Sequence, residues 1–126
     1  MIGYVTLGSN DLARAGAFYD ALLAEIGAKR VMDFPTGIVW SIGPGAPALS
    51  VMKPFDGNPA TVGNGVMVGL AAASPEQVRR LHARALELGG RDEGPPGPRP
   101  SGFYVGYFRD LDGNKLNWFC PGQAQP

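Results

Sequence analysis

Short β-branched and aromatic runs alternate with two stretches of helical periodicity along this chain, and the same order comes round twice. Ile2 to Leu7 predicts a strand, broken at Gly8, with Tyr4 and Thr6 on one face and Val5 and Leu7 on the other. A helix should follow, with Asp11 as its N-cap and an apolar stripe of Leu12, Ala15, Tyr19, Leu22, Leu23 and Ile26 that ends at Gly27. Three strands are predicted next: Lys29 to Phe34, Ile38 to Ile42, and Leu49 to Phe55. Pro35-Thr36-Gly37 and the Gly43 to Pro47 loop separate them.

Asp56 to Asn64 has the turn-rich composition of a linker and divides the chain nearly in half. Gly65 to Ala72 then reads as a strand, and Ser74-Pro75-Glu76-Gln77 as a helix start, with a Ser N-cap, Pro at the first helical position and Gln completing a capping box. Val78, Leu81, Ala85 and Leu88 form the buried stripe, and Gly89-Gly90 stops it. A Pro-rich loop, Gly94 to Gly102, leads to a strand at Phe103 to Arg109. Tyr4 matches Met67, Val5 matches Val68 and Asp11 matches Ser74, each 63 positions apart. The expected fold is therefore α+β: two modules, residues 1–57 and 65–126, joined by a linker at 58–64 within a single domain.

The chain closes on a hairpin, because Asp110 to Asn114 lies between two apolar runs and carries the Asp-Gly-Asn composition of a turn. Alternation along Lys115 to Cys120 places Leu116, Trp118 and Cys120 on one face and Lys115, Asn117 and Phe119 on the other.

Composition narrows the partners. Eleven Lys and Arg balance eleven Asp and Glu, with no basic stretch, so neither nucleic acid nor an anionic membrane surface is an expected partner. No apolar run reaches the roughly 18 residues of a membrane span, and no leader-like segment precedes the first strand. With one cysteine, Cys120, no internal disulfide is possible, and a cytoplasmic location is expected.

Five segments carry a family resemblance: YVTLGSNDLARAGAFYDALL, KPFDGNPAT, GNGVMVGL, ALELGG and FRDLDGNKLNWF. In this order they resemble the vicinal oxygen chelate superfamily, which groups glyoxalase I, extradiol dioxygenases, fosfomycin-resistance enzymes and bleomycin-resistance proteins. The resemblance implies paired βαβββ modules forming a curved mixed sheet around a cavity, and a homodimer. It also implies where metal-using members carry ligands, a His or Gln, a His and a Glu, and those positions here are Tyr4, Met67 and Asn117. A phenol, a thioether and an amide are poor ligands together, so no metal and no cofactor is expected.

The remaining candidates read as structure. His82, the only histidine, sits mid-helix near the apolar stripe and is expected to be partly buried with one hydrogen bond. Asp110 and Asp112 suit the backbone bonds of the hairpin turn. Cys120 lacks an evident base and reads as a small core residue. Gly63-Asn64-Gly65 precedes a strand, so it offers no helix N-terminus to a phosphate.

Two functions fit these residues. One is a metal-free small-molecule binding protein of the glyoxalase/bleomycin-resistance type, sequestering an aromatic or amphipathic metabolite or antibiotic, with Tyr4, Trp40, Met52, Met67, Tyr104, Asn117 and Phe119 as the expected cavity residues. The other is a glyoxalase-like lyase or isomerase, or a dioxygenase-like enzyme, metal-dependent or using Tyr4 as a general acid or Arg109 as an oxyanion partner.

Overall fold

A computed structural model describes residues 1–122 of the chain. Its elements run β1 (Tyr4–Gly8), α1 (Leu12–Ala24), β2 (Lys29–Phe34), β3 (Gly37–Ser41), β4 (Ala48–Met52), β5 (Val68–Ala71), α2 (Pro75–Glu87), β6 (Arg91–Pro98), β7 (Phe103–Arg109) and β8 (Lys115–Pro121). They form two mixed four-stranded sheets, ordered β1-β4-β3-β2 and β5-β8-β7-β6. In each sheet one pair is parallel, β1 with β4 and β5 with β8, and the other pairs are antiparallel. The fold is thus α+β, built from two βαβββ units. The end of the second unit expected at 123–126 lies outside the described residues.

Each helix begins where its cap dictates. The Asp11 side chain accepts from the Arg14 N–H and the Ser74 side chain from the Gln77 N–H. The capping box at the second helix is shifted by one residue, because Gln77 Oε1 reaches back to the N–H of Ala73 at 2.7 Å instead of that of Ser74. One face of each sheet packs against its helix. Leu7, Ile38, Trp40, Leu49 and Val51 of the first sheet join Ala15, Phe18, Tyr19 and Leu22 of α1. Phe108, Leu116, Trp118 and Cys120 of the second join Val78, Leu81 and Ala85 of α2, in the same continuous cluster. Burial of these side chains is the main driving force for the fold.

Three expectations need correction. The Pro-rich segment is not all loop, since Arg91–Pro98 forms β6. Proline cannot donate to a ladder, and β6 accommodates Pro95, Pro96 and Pro98 because it is the edge of its sheet and its pairing with β7 slips at Gly94 and Gly97. The third strand of the first unit stops at Met52, short of Phe55. The strand expected over Gly65 to Ala72 is confined to Val68–Ala71. In the closing hairpin Gly113 supplies the positive φ, +87°.

The hairpin also does what its sequence does not announce: it clasps the first unit. Asn114 Nδ2 donates to the Gly8 carbonyl at 2.9 Å, the Asn10 N–H to Asp112 Oδ1 at 3.0 Å, and Arg14 Nη2 to the Leu111 carbonyl at 3.2 Å. Tyr19 donates its hydroxyl to Asp110 Oδ2 at 2.6 Å in the core. Asp110 is 5% exposed and also accepts from the Asp112 and Asn114 N–H groups and from Asn114 Nδ2, so its buried carboxylate is fully paired.

Candidate ligand-binding site

The face of each sheet turned away from its helix is open, and alternation decides which side chains it presents. On the first sheet, cross-strand register puts Tyr4 beside Ala48, Thr6 beside Ser50, Val39 beside both Ser50 and Met32, and Gly37 beside Met52. Of these, Tyr4, Met32, Val39, Ala48, Ser50 and Met52, with Val31 and Phe34, line a cleft of about 620 Å³. Its floor carries one polar pair, Thr6 Oγ1 and Ser50 Oγ at 2.6 Å, and Ser50 donates on to the Val5 carbonyl. The walls are apolar and exposed: Tyr4 at 70%, Val31 at 55%, Met32 at 54% and Phe34 at 42%. Gly37 makes room for the half-buried Met52, since a Cβ there would stand 2.7 Å from its side chain.

On the second sheet the open face carries Lys115, Asn117 and Phe119 of β8. Asn117 is buried and donates to the Met67 sulfur at 3.5 Å, but its carbonyl oxygen has no partner among the described residues. Phe119 is half-buried and meets Phe103 edge-on, with ring centroids 5.8 Å apart. A second cleft, of about 470 Å³, takes its walls from residues 62–67 with Arg109 and Lys115.

The expected cavity residues therefore divide. Tyr4 and Met52 share the first cleft, while Met67 lines the second and accepts from Asn117, which is buried on β8 and lines neither. Two of them face the helices instead. Trp40 is 1% exposed, packs against Tyr19 with ring centroids 5.4 Å apart, and donates its indole N–H to Asp20 at 2.8 Å. Tyr104 pairs with the core residue Cys120 and bonds Arg79 of α2 through its hydroxyl at 3.0 Å. Neither is a wall of the open faces. The pattern itself contained the signal for Trp40, because Val39 and Ser41 flank it and Ser41 marks their face as the solvated one. Residues that the expectation omitted are Val31, Met32 and Phe34 of β2, every residue of which is exposed.

The positions at which a metal would be expected do not fit one. Tyr4 is separated from Met67 and Asn117, a thioether and an amide are weak donors for the metals this superfamily uses, and no three His, Cys, Asp or Glu side chains gather into a binding group among the described residues. Arg109 is occupied, donating Nε to Glu93 at 2.6 Å and Nη1 to the Gly113 carbonyl at 3.0 Å. Its hydrogen bond holds the Glu93 carboxyl below the usual range. Cys120 is buried, and burial pushes its thiol up, away from the reactive thiolate. His82 is more deeply placed than expected, 5% exposed, and its Nε2 meets two acceptors, Asp92 Oδ1 at 3.1 Å and the Tyr107 carbonyl at 3.0 Å.

Two βαβββ units, each with one sheet face packed on its helix and the other open, define the structural class of this chain. The family model described as Glyoxalase/Bleomycin resistance protein/Dioxygenase superfamily matches residues 1–117, and the chain belongs to that superfamily. Its fold is similar to that of a glyoxalase/bleomycin resistance protein from Albidiferax ferrireducens T118, at 39% identity and a TM-score of 0.86, covering 94% of this chain and 97% of that one. A glyoxalase-related enzyme from Fulvimarina pelagi shares the fold at 22% identity and a TM-score of 0.76, over 94% of this chain and 86% of that one. So does a lactoylglutathione lyase from Agrobacterium tumefaciens, at 23% identity and a TM-score of 0.71, over 94% and 92%. No curated protein matches the chain in sequence. No helix among the described residues is long and apolar enough to cross a membrane.

Proposed function

We propose that this chain is a cytoplasmic small-molecule binding protein that holds an aromatic or amphipathic compound over the first sheet, without a metal and without breaking a bond in it. The observation that carries this reading is the exposed apolar cleft of Tyr4, Val31, Met32 and Phe34, whose 620 Å³ lies in the roughly 300–1,000 Å³ range of ligand pockets. Leaving such side chains in water is unfavourable, and a flat apolar compound removes them from it. Stacking on Tyr4 or Phe34 adds about 0.5–1.5 kcal/mol per aromatic pair. The phenol, thioether and amide at the metal positions support binding by packing and hydrogen bonding in place of Lewis-acid chemistry.

The binding unit in this reading is a homodimer. Tyr4 and Met67, which covers Asn117, line separate clefts in one chain, so a cavity bounded by both sheets is completed by a second copy. Purified protein should run at twice the chain mass in light scattering at micromolar concentration and should melt higher in the presence of at least one planar aromatic compound. It should carry well under one equivalent of Zn, Ni, Mn or Fe when prepared without chelator. A strictly monomeric mass would remove the dimer, about one metal per chain would overturn the metal-free reading, and a screen in which no aromatic compound stabilises the protein would end the binding reading.

A further inference from the structure

The open face of the second sheet has a different chemistry from that of the first. Lys115 and Arg109 are register partners on β8 and β7, as are Asn117 and Tyr107, so four polar or cationic side chains share one face. Arg109 is answered by Glu93. Lys115 is half-buried and makes no hydrogen bond or ion pair among the described residues; its ammonium lies 5.3 Å from the centroid of the Tyr107 ring. The Arg99 guanidinium lies at the same 5.3 Å and bonds only the carbonyls of Pro95, Gly97 and Pro98. Glu93, whose carboxylate also feels the charge of Lys115, is thus one anion facing three cations, Arg99, Arg109 and Lys115, and the surroundings of Tyr107 keep an excess of positive charge.

A second observation is independent of charge. Asn117 is 6% exposed, and its carbonyl oxygen finds no donor, although a buried oxygen of this kind is nearly always paired. Its one bond is the weak one to Met67, a flexible thioether that is 44% exposed and free to swing aside. An acceptor without a donor thus stands two positions along the strand from a cation with no direct ion-pair partner among the described residues. Two residues on one strand face are separated by about 7 Å.

We infer that this face takes a small aryl carboxylate with a hydroxyl or N–H at the far end of its ring. The carboxylate meets Lys115, the donor meets Asn117 Oδ1, and the ring lies against Tyr107 and Met67. The backbone spacing of the two positions, about 7 Å, is of the same order as the long axis of a para-hydroxyaryl acid. This names the ligand class for the binding function proposed above and rests on that proposal, with the apolar sheet of a second copy closing over the ring.

The test is calorimetric titration of the full chain with 4-hydroxyphenylacetate, its methyl ester and phenylacetate, alongside a set of neutral aromatics. The acid should bind the wild type roughly tenfold or more tightly than the ester, the scale of a charge-assisted hydrogen bond. Lys115→Met should abolish that preference and leave the ester's affinity where it was. Phenylacetate should bind the wild type more weakly than the hydroxy acid, and Asn117→Leu should make the two equal. Melting curves identify any variant that fails to fold, and Lys115→Gln then replaces Lys115→Met. An ester that binds the wild type as tightly as the acid, or a preference for the acid that survives loss of Lys115, overturns the inference. Binding of neutral aromatics with none of the acid does so too while leaving the binding function standing; no binding of any aromatic removes both.

Discussion

Removing the Tyr19 hydroxyl should loosen the clasp between the two units without opening a cavity. Tyr19 is fully buried, and its hydroxyl donates at 2.6 Å to Asp110, which holds the closing hairpin. In Tyr19→Phe the ring stays packed against Phe18 and Trp40, so the loss is one buried hydrogen bond to a carboxylate. Such a bond is worth about 1.5–3 kcal/mol. At about 4 °C per kcal/mol for a domain of this size, the midpoint should fall by roughly 6–12 °C. Urea denaturation should show the same loss with an unchanged slope. A pH arm separates this bond from mere packing. Burial, and then the charge of Asp110, raises the Tyr19 phenol well above its ordinary value. A raised folded-state value means that the protonated phenol contributes its full stability below the unfolded pKa of about 10, and that the contribution is lost as pH climbs through the folded value. The gap between wild type and Tyr19→Phe should be flat from about pH 6 to 9 and close above about 10. A gap below about 0.5 kcal/mol at neutral pH, or one that widens in alkali, would refute the clasp.

Other outcomes are smaller in scope. Ser74→Ala removes the acceptor of the Gln77 N–H and should destabilise by about 1 kcal/mol in the same denaturation assay, with ligand binding unchanged. Tyr4→Ala combined with Phe34→Ala strips the first cleft of its exposed rings and should move stability by no more than about 0.5 kcal/mol per site. The melting shift given by a bound aromatic compound should meanwhile fall by at least half; an undiminished shift would move the ligand off the first sheet.

What could be read from the sequence depended on how local the deciding force is. Caps and helical stripes are local, and α1 and α2 lie where Asp11 and Ser74 place them. The strand β6 was hidden because Gly94, Pro95, Pro96, Gly97 and Pro98 each disfavour a ladder, and only the edge position, a property of the whole sheet, makes them admissible. Asp110 looked self-sufficient as a turn residue. Its partner Tyr19 lies 91 positions away, and nothing in either segment indicates the other. The faces of β8 followed from alternation alone, with Leu116, Trp118 and Cys120 inside. The same rule applied through the hairpin register would have turned Tyr104 inward with Cys120, since residues paired across two strands share a face.

The repeat explains why the two open faces diverged while the core did not. The 63-residue offset between Tyr4 and Met67 also carries α1, Leu12–Ala24, onto α2, Pro75–Glu87. It superposes Ala15 on Val78, Phe18 on Leu81, Tyr19 on His82 and Leu22 on Ala85, and all eight are buried. Every pair differs in identity, so what was kept is the geometry of a helix on a sheet, with volume traded between sites as close packing requires. Tyr19 and His82 even keep the same task, each reaching from its helix to an acidic residue of the second unit, Asp110 or Asp92. No such constraint acts on the open faces, which touch no helix. There the offset matches Tyr4, a ring in an apolar cleft, to Met67, a thioether over an amide whose oxygen has no partner among the described residues. Two like faces brought together would give a cavity of uniform character; in the proposed homodimer an apolar face set against a cationic one would give a cavity with a greasy side and a charged side, suited to a compound that has both.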